Sequence, residues 1–212
     1  MDGASFSGNS TAKAGGAIYN NGLLSITDGA FPNNSSTNSG GAIYTSGTLE
    51  VDGTTFTGNS NPGTSGKFGG AIQVNGGTAI LEDVTASGNT AYRGYDVYGA
   101  STANITVDGG SFTSGGNSTS AAALYIGASN TMTIGGKVKA IINFQSTGAI
   151  TVESDFSDQS EVNIWLAAYK TGRVLLSGNA AAIQAAVSAG AVTSTRAVEQ
   201  GFTLGTDGKL KK

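Results

Sequence analysis

The residues best suited to acid–base or metal chemistry form one acidic run in the C-terminal half of the chain. Its four carboxylates are Glu153, Asp155, Asp158 and Glu161. Glu153 and Asp155 are two residues apart, so on a strand they would share a face. Carboxylates on an outer face bind calcium or act as acid and base on sugars. A lyase-type site would also need a base, and Lys170 and Arg173 are the nearest candidates in sequence. Solvated charge on an outer strand is the alternative, and we favour it.

Two residue types that carry much of enzyme chemistry are missing from the chain. It contains no histidine, which excludes imidazole-based zinc and copper sites and His-dependent catalytic triads. It contains no cysteine, which excludes disulfides and thiolate metal sites. We therefore expect no enzymatic activity, no cofactor and no bound metal.

Aromatic residues provide a different candidate, a binding surface. Four tyrosines each follow an aliphatic residue of a repeated block, namely Tyr19, Tyr44, Tyr98 and Tyr125. In one copy of the block, Gln73 stands at the same place. Side chains alternate along a strand, so these tyrosines should point outward and form a column. Tyr92, Arg93 and Tyr95 add further residue types that are common in interfaces. The alternative is that the stacked rings only stabilise the sheet.

The composition indicates a folded chain with a small-residue, polar surface. Glycine accounts for 34 of 212 residues, 12% of residues are charged and 38% are hydrophobic. This balance argues against disorder, and the formal net charge of −3 gives no basic footprint for nucleic acid. No apolar stretch approaches the length of a membrane span, and residues 1–20 do not resemble a signal peptide.

Two blocks recur in register along the first half of the chain. The first contains Phe and Asn in a Phe-x-x-Asn pattern; its copies are Phe6–Asn9, Phe31–Asn34 and Phe56–Asn59, then the degenerate Ala86–Asn89 and Phe112–Asn117. The second is a Gly-Gly-Ala-Ile pattern; its copies are Gly15–Tyr19, Gly40–Tyr44 and Gly69–Gln73, then the decayed Gly94–Tyr98 and Ala122–Tyr125. A repeat period of about 25 residues is typical of solenoids.

A third block alternates apolar and polar residues, which predicts short strands with one buried face. Stacked coils about 4.8 Å apart would pair each strand with its copies in parallel sheets. Three inward columns are then expected, two of aliphatic residues and one of phenylalanine. Their members are Ile18, Ile43, Ile72, Val97 and Leu124; Ile26, Val51, Leu81, Val107 and Ile134; and Phe6, Phe31, Phe56 and Phe112.

The polar residues of the repeat are assigned to turns. Each Asn side chain should bond to the next along the axis, in a ladder formed by Asn9, Asn34, Asn59, Asn89 and Asn117. The Gly-Gly pairs suit a corner with positive φ or close backbone approach. Asp28-Gly29, Asp52-Gly53 and Asp108-Gly109 should mark a second turn rather than a calcium ladder, and residues 62–68 should bulge outward.

The repeat becomes irregular after residue 134. Strands are still expected at Ile150–Val152, Val162–Leu166 and Val174–Leu176, and residues 180–189 should form a short helix capped by Asn179, with Ile183 and Val187 on one face. Open solenoid ends need covering, so residues 179–212 are expected to form a cap. Because residues 1–6 match the middle of a coil, we expect the chain to be a piece of a longer surface protein.

These paired blocks resemble the repeats of the polymorphic outer membrane proteins of chlamydiae. The resemblance covers residues 6–126 and implies a secreted, adhesin-like passenger domain of the autotransporter type. The chain differs from that family in having no cysteine.

We therefore predict an all-β fold, a right-handed parallel β-helix with coils of about 25 residues. The coils should cover residues 1–178, with regular repeats to about residue 135, and a C-terminal cap should cover 179–212. The predicted function is a cell-surface or extracellular adhesin whose partner is a host protein or a glycan, with no nucleic acid and no insertion into the membrane. The alternative is a carbohydrate-active module, either a polysaccharide lyase or hydrolase or a phage tail-spike type. A cleft with two carboxylates and a basic residue would favour that alternative.

Overall fold

The structure is a computed structural model that describes residues 1–63, 65–115, 121–166 and 168–212. The chain forms a parallel β-solenoid of about 7 turns, which confirms the predicted fold class. Each coil contributes strands to three faces, here called A, B and C in the order in which the chain reaches them.

Face A begins at the Gly-Gly blocks. Its strands are Ile18–Asn20, Ile43–Thr45, Ile72–Asn75, Val97–Ala100, Leu124–Ile126 and the C-terminal ends of Thr131–Phe144 and Glu161–Leu166. Face B contains the alternating block. Its strands are Leu23–Thr27, Thr48–Asp52, Thr78–Glu82, Ile150–Val152, Leu176–Gly178 and the first halves of Asn104–Phe112 and Thr131–Phe144.

Face C contains the phenylalanine block. Its strands are Ala30–Pro32, Thr55–Thr57, Thr85–Ser87, Val192–Thr193 and the remaining parts of Asn104–Phe112, Thr131–Phe144 and Glu161–Leu166. A short fourth edge pairs Ser10–Thr11 with Ser35–Ser36 before the next Gly-Gly corner. All pairings within the coils are parallel, as stacked coils of one chain require.

The three predicted core columns are confirmed by the strand register. On face A, Ile43 pairs with Ile18 and with Ile72, and Val97 pairs with Leu124. On face C the phenylalanine rings stack, with centroids 5.1 Å apart for Phe6 and Phe31 and 4.9 Å apart for Phe31 and Phe56. The stacked aliphatic and aromatic side chains form one continuous core along the solenoid.

The Gly-Gly corner needs both of its glycines, each for a different reason. The first glycine has a positive φ, 63° at Gly40 and 69° at Gly69, which side chains disfavour. The second faces the next coil, because a Cβ at Gly41 would lie 2.0 Å from the Gly70 carbonyl oxygen. The corner therefore has both of the features that the sequence indicates as alternatives, a positive φ at its first glycine and a close backbone approach at its second.

The asparagine ladder is confirmed for four coils. The side-chain amide of Asn34 donates to Asn59 Oδ1 at 3.0 Å, and that of Asn59 donates to Asn89 Oδ1 at 2.9 Å. Each Oδ1 also accepts the backbone N–H of the preceding asparagine, as in the 2.8 Å bond from Asn59 N to Asn89. The proposed fifth member, Asn117, lies outside the described residues. Next to Asn89 the structure places Ser114, whose hydroxyl accepts the Asn89 N–H at 2.8 Å.

The corner between faces B and C is less regular than the three Asp-Gly pairs predict. The residue with positive φ is Gly53 in the second coil and Gly109 in the fourth, but it is Asp28 in the first. The reason is the register, which pairs Thr27 with Asp52 and so aligns Asp28 with Gly53. The three pairs are thus turn residues, but the first is shifted by one position.

The C-terminal part contains helix α1 (Ala180–Ser188) and helix α2 (Thr195–Glu199), which follow the last face B strand. Asn179 caps α1 as predicted, because its Oδ1 accepts the Ala182 N–H at 2.9 Å. Ile183 is buried against the core, and Val187 packs partly buried beside it. An antiparallel hairpin, Thr203–Leu204 with Leu210–Lys211, ends the described chain.

One strand prediction is wrong at its start. The face B strand begins at Leu176 rather than at Val174 and ends at Gly178. Val174 instead pairs antiparallel with Lys209 of the terminal hairpin, and it is 41% exposed. The two following leucines are both buried, so the period-two alternation on which the prediction rested is broken here.

Candidate functional site

The tyrosine column on face A is present, but it is divided into two stacks. Tyr19 and Tyr44 stack with centroids 4.9 Å apart, and Tyr98 and Tyr125 stack at 5.1 Å. Gln73 pairs with Tyr44 on one side and Tyr98 on the other, so it separates the stacks as the sequence indicates. Exposure differs along the column, from 59% for Tyr19 to 8% for Tyr125. The column is therefore not a uniformly open strip.

Sequence reasoning missed one member of the second stack, Phe68. Its ring lies 4.3 Å from the Tyr98 ring at an interplanar angle of 11°, and it also contacts Tyr92. Phe68 is the last residue of the predicted bulge. There the chain returns to the wall of the solenoid, and Phe68 pairs with Ser39 and Arg93 of the neighbouring coils. The signal in the sequence is its position directly before Gly69-Gly70, which is the position of Arg93 before Gly94.

Arg93 is held by the rings around it. Its guanidinium lies 5.3 Å from the centroid of Tyr92 and 5.1 Å from that of Tyr125, which are cation–π distances. Burial raises the pKa of the Tyr98 hydroxyl and Tyr125 adds to this, while the hydrogen bond and charge of Arg93 act in the opposite direction. We call Phe68, Tyr92, Arg93, Tyr98 and Tyr125 the aromatic–arginine patch.

Tyr95 does not join this patch. Its backbone N–H bonds to the Ala122 carbonyl, and its ring lies beside Gly115, where a Cβ would be 3.3 Å from ring atom Cδ2. Among the described residues, no ring contact connects Tyr95 to the other tyrosines. The predicted binding residues are thus three groups in space, namely the Tyr19–Tyr44 stack, the patch and Tyr95 alone.

A buried carboxyl group, Asp96, lies at the C-terminal end of the asparagine ladder. It replaces the alanine of the Gly-Gly-Ala-Ile block and is fully buried. It accepts the Asn89 side-chain amide at 2.8 Å and the Ser114 N–H at 3.0 Å. Burial raises its pKa to about 6, although the hydrogen bonds from Ser114 and Asn89 act to lower it. The carboxylate thus terminates the ladder by accepting the last amide.

The acidic run is divided by the fold. Glu153 and Asp155 converge with Asp108 of an earlier coil, so that one carboxylate oxygen of each lies within 4.8 Å of the others. They surround Gly135, which has no side chain to separate them. Burial raises the pKa of Asp108, and Asp155 and Asp83 raise it further. Three converging carboxylates are a ligand set suited to a hard cation such as calcium.

The other two residues of the run do not contribute to this cluster. Glu161 bonds to Lys139 at 2.8 Å, and this bond lowers the pKa of the Glu161 carboxyl. Asp158 lies outside the cluster. A shallow groove of about 440 Å³ on face C brings Asp83 and Glu161 together with Lys137 and Lys139. The basic residues of this groove are therefore two lysines that lie beside Asp83 and Glu161.

Lys170 and Arg173 lie elsewhere, on the rim of a separate shallow pocket with residues 147–149. The Arg173 guanidinium donates to the carbonyl oxygens of Ala168 and Ser146. It therefore ties together two turns of the irregular coils. The sequence-based pairing of these two residues with the acidic run is not found.

A family model, the Chlamydia polymorphic membrane protein repeat, matches residues 3–21 and 31–46. Both matched segments include a Phe-x-x-Asn block and the following Gly-Gly-Ala-Ile block. Residues 3–21 and 31–46 are thus similar to the polymorphic membrane protein repeat. In the structure, these repeats place their asparagines in the ladder and their glycines at the close corner. The suspected resemblance is confirmed for this repeat type.

The curated proteins and the solved structures contain no match to this chain. Neither α1 nor α2, the helices of the described residues, is long and apolar enough to cross a membrane. The polymorphic membrane protein repeats and the solenoid together fit a surface-exposed β-helix protein.

Proposed function

We propose that this chain is an adhesive β-helix of a bacterial surface protein, a secreted passenger-type scaffold that binds host proteins or glycans. The observation that carries the proposal is the aromatic–arginine patch on a solenoid built from surface-protein repeats. Tyrosine and arginine are enriched where protein surfaces bind, and they dominate binding energy when they are rigidly held.

The solenoid supports this function by fixing the patch before a ligand arrives. Strands in register hold each ring against its neighbours, so little side-chain freedom remains to be lost on binding. Tyr92 and Arg93 are half-buried and retain accessible edges, whereas both ring faces of Tyr98 are covered by Phe68 and Tyr125. Contact with a partner should therefore come mainly through Tyr92 and Arg93.

A binding experiment tests the proposal. Purified chain is applied to cultured host cells and to a glycan array, alongside Tyr92→Ala and Tyr19→Ala as a matched tyrosine of the other stack. We expect Tyr92→Ala to lower the bound fraction at least about fivefold, since hot-spot truncation costs about 1 kcal/mol or more. We expect Tyr19→Ala to bind like the unaltered chain. Absence of any binding to cells and glycans would refute adhesion.

A second candidate function is a carbohydrate-active module, and one observation favours it. The convergence of Asp108, Glu153 and Asp155 next to a groove that contains Lys137 and Lys139 provides carboxylates and bases on one side of the solenoid. If this site bound calcium, the three carboxylates would be the ligands.

Calorimetric titration with Ca²⁺, combined with an assay for cleavage of polygalacturonate, tests this candidate. The Asp108→Asn variant removes one ligand, and Asp52→Asn on the same side of the solenoid provides the control. Calcium binding that is lost only in Asp108→Asn, together with cleavage, would establish this candidate. If the chain neither binds calcium nor cleaves polygalacturonate, this candidate is eliminated and adhesion remains.

A further inference from the structure

Charge is segregated along the regular coils. Over the described residues 1–63 and 65–115, the cationic side chains all lie within two residues of the Gly-Gly corner: Lys13, Lys67 and Arg93. The exposed or half-exposed carboxylates all lie on face B or at its corner with face C: Asp2, Asp28, Glu50, Asp52, Glu82, Asp83 and Asp108. Face A lies between the two groups. The only other carboxyl group in this range, Asp96, is buried.

Arg93 has no carboxylate partner within the described residues. The salt bridges found there join Lys139 to Glu161 and Lys211 to Asp207. The guanidinium instead lies over the rings of Tyr92 and Tyr125. A guanidinium presents five N–H donors in a planar fork that matches carboxylate and sulfate oxygens. Its position therefore suits recognition of an anion from outside the chain.

We infer that the aromatic–arginine patch binds an acidic glycan, through a carboxylate or sulfate group that pairs with Arg93. This inference rests on the proposed adhesive function and names its ligand class. The backbone of Lys67 lies beside the patch, since its carbonyl oxygen accepts the Tyr92 N–H at 3.0 Å, whereas its ammonium group donates to the Thr37 carbonyl oxygen. Arg93 therefore supplies the positive charge of the patch. No exposed carboxylate opposes an anion on this corner within the described residues 1–115.

The surroundings favour a glycan over a protein. A stable protein interface needs a desolvated apolar centre within about 800 Å² per partner. The large hydrophobic side chains that are most exposed lie away from the patch: Met1, Tyr19, Leu23, Val174 and Val198. A second copy of this chain would pair its acidic corner with this basic corner, and sedimentation velocity distinguishes that case.

The test measures binding of polygalacturonate, dextran sulfate and neutral dextran to the full chain by biolayer interferometry. Arg93→Gln removes the charge, Arg93→Lys keeps it without the fork, and Lys209→Gln removes an equal charge from an exposed position of the terminal hairpin. Circular dichroism checks that each variant is folded. Arg93→Lys still tests the inference if Arg93→Gln does not fold.

We expect at least one acidic polymer to bind and dextran not to bind, with weaker binding in higher salt. Arg93→Gln should weaken binding by about tenfold or more, which corresponds to about 1.4 kcal/mol. Arg93→Lys should be intermediate, and Lys209→Gln should be unchanged. The carboxylate and sulfate polymers show which anion is preferred.

Equal weakening by Arg93→Gln and Lys209→Gln would overturn the site. Adhesion to host cells without binding to either acidic polymer would overturn the ligand class and leave the adhesive function standing. Absence of both cell adhesion and acidic-polymer binding would overturn the ligand class and the adhesive function. Self-association at low salt in sedimentation velocity, lost in Arg93→Gln and unaccompanied by polymer binding, would identify a second copy as the partner and overturn the glycan.

Discussion

The regular coils before residue 115 and the irregular coils after residue 131 solve the same stacking problem in different ways. In the regular coils the chain turns at Gly-Gly pairs and at ladder asparagines, and it comes back into register once per repeat, as from Ile18 to Ile43 and then to Ile72. In the irregular coils the return varies in length, from 18 residues between Leu124 and Ile142 to 30 between Val162 and Val192. Strand Thr131–Phe144 runs through face B, face C and face A without a break.

The difference teaches where residue identity matters. Most strand segments in both regions alternate apolar and polar residues, which is all that a strand with one buried face requires. Corners with a positive φ or a buried amide accept few residue types, so the repeat is readable where such corners recur in register, as they do in the regular coils. Substitutions at these corners should therefore cost more in the regular coils than matched substitutions in the irregular ones.

The largest effect is expected at the ladder. Asn59→Ala removes a buried side chain that donates to Asn89 Oδ1 and to the Phe31 carbonyl and accepts from Asn34. Several buried groups lose their partners, at about 1–3 kcal/mol each, so we expect a loss of about 4 kcal/mol in unfolding free energy. Urea denaturation measures it. The control Asn163→Ala removes bonds to Thr195 at the surface and should cost under about 1 kcal/mol. Equal losses would contradict the comparison.

The next effect is steric. At Gly41 an added methyl would lie 2.0 Å from one carbonyl oxygen and 2.7 Å from another, both in the backbone of a neighbouring coil. Gly41→Ala should therefore reduce the unfolding free energy by about 3 kcal/mol, as overpacking typically does. Gly148→Ala in the irregular region meets its nearest atom at 3.6 Å and should be nearly neutral. A tolerated Gly41→Ala in thermal melts would show that the coils separate more easily than the structure implies.

The third effect depends on pH and lies where the ladder ends. The folded pKa of Asp96, about 6, is above its ordinary value of 3.8, so the folded chain holds this proton more tightly than the unfolded chain. The resulting stabilisation is complete below about pH 4 and is lost as pH rises to about 6. The difference in unfolding free energy between the natural chain and Asp96→Asn should therefore shift by about 2 kcal/mol across this window.

Denaturation at a series of pH values, with Asp52→Asn as an exposed control, measures this shift. A difference that stays constant from pH 4 to pH 7 would contradict the assignment of Asp96 as a buried carboxyl that titrates in this range.

The smallest effect concerns the C-terminal helix. Asn179→Ala removes the N-cap acceptor of Ala182 N–H in α1 and should lower the unfolding free energy by about 1 kcal/mol. The exposed Gln184→Ala in the same helix is the control and should be close to neutral. Hydrogen exchange of the α1 amides would show whether the cap region loosens alone or with the coils.

Most of the architecture was predictable because each coil packs on a copy of itself. When the same residue type meets itself in the next coil, its spacing in the sequence reports a contact in space. Ile43, Phe31 and Asn34 were therefore assigned to their columns correctly, and helix α1 was found from its cap and its alanine-rich composition.

The candidate sites followed only in part, because they depend on coil length. Asp108 and Glu153 are distant in the sequence, and they meet because the two coils between them differ in length. The first coil brings Asp108 beside Gly135, and the second, which is much shorter, brings Ile134 beside Val152. Phe68 reaches Tyr98 because a bulge returns to the wall at one particular residue. A repeat that has decayed does not report the lengths of its coils, and the position of Phe68 before Gly69-Gly70 marks the end of the bulge without showing which ring Phe68 contacts.

The sequence by itself determined the solenoid, its corners and its core, since these arise from like residues stacked on like along the axis. Only the tertiary structure decided which unlike residues from different coils become neighbours: the rings around Arg93, the carboxylates around Gly135 and the end of the ladder at Asp96. The physical reason is that backbone hydrogen bonds fix each coil over the next, whereas insertions and deletions at the corners set which side chains that register brings together.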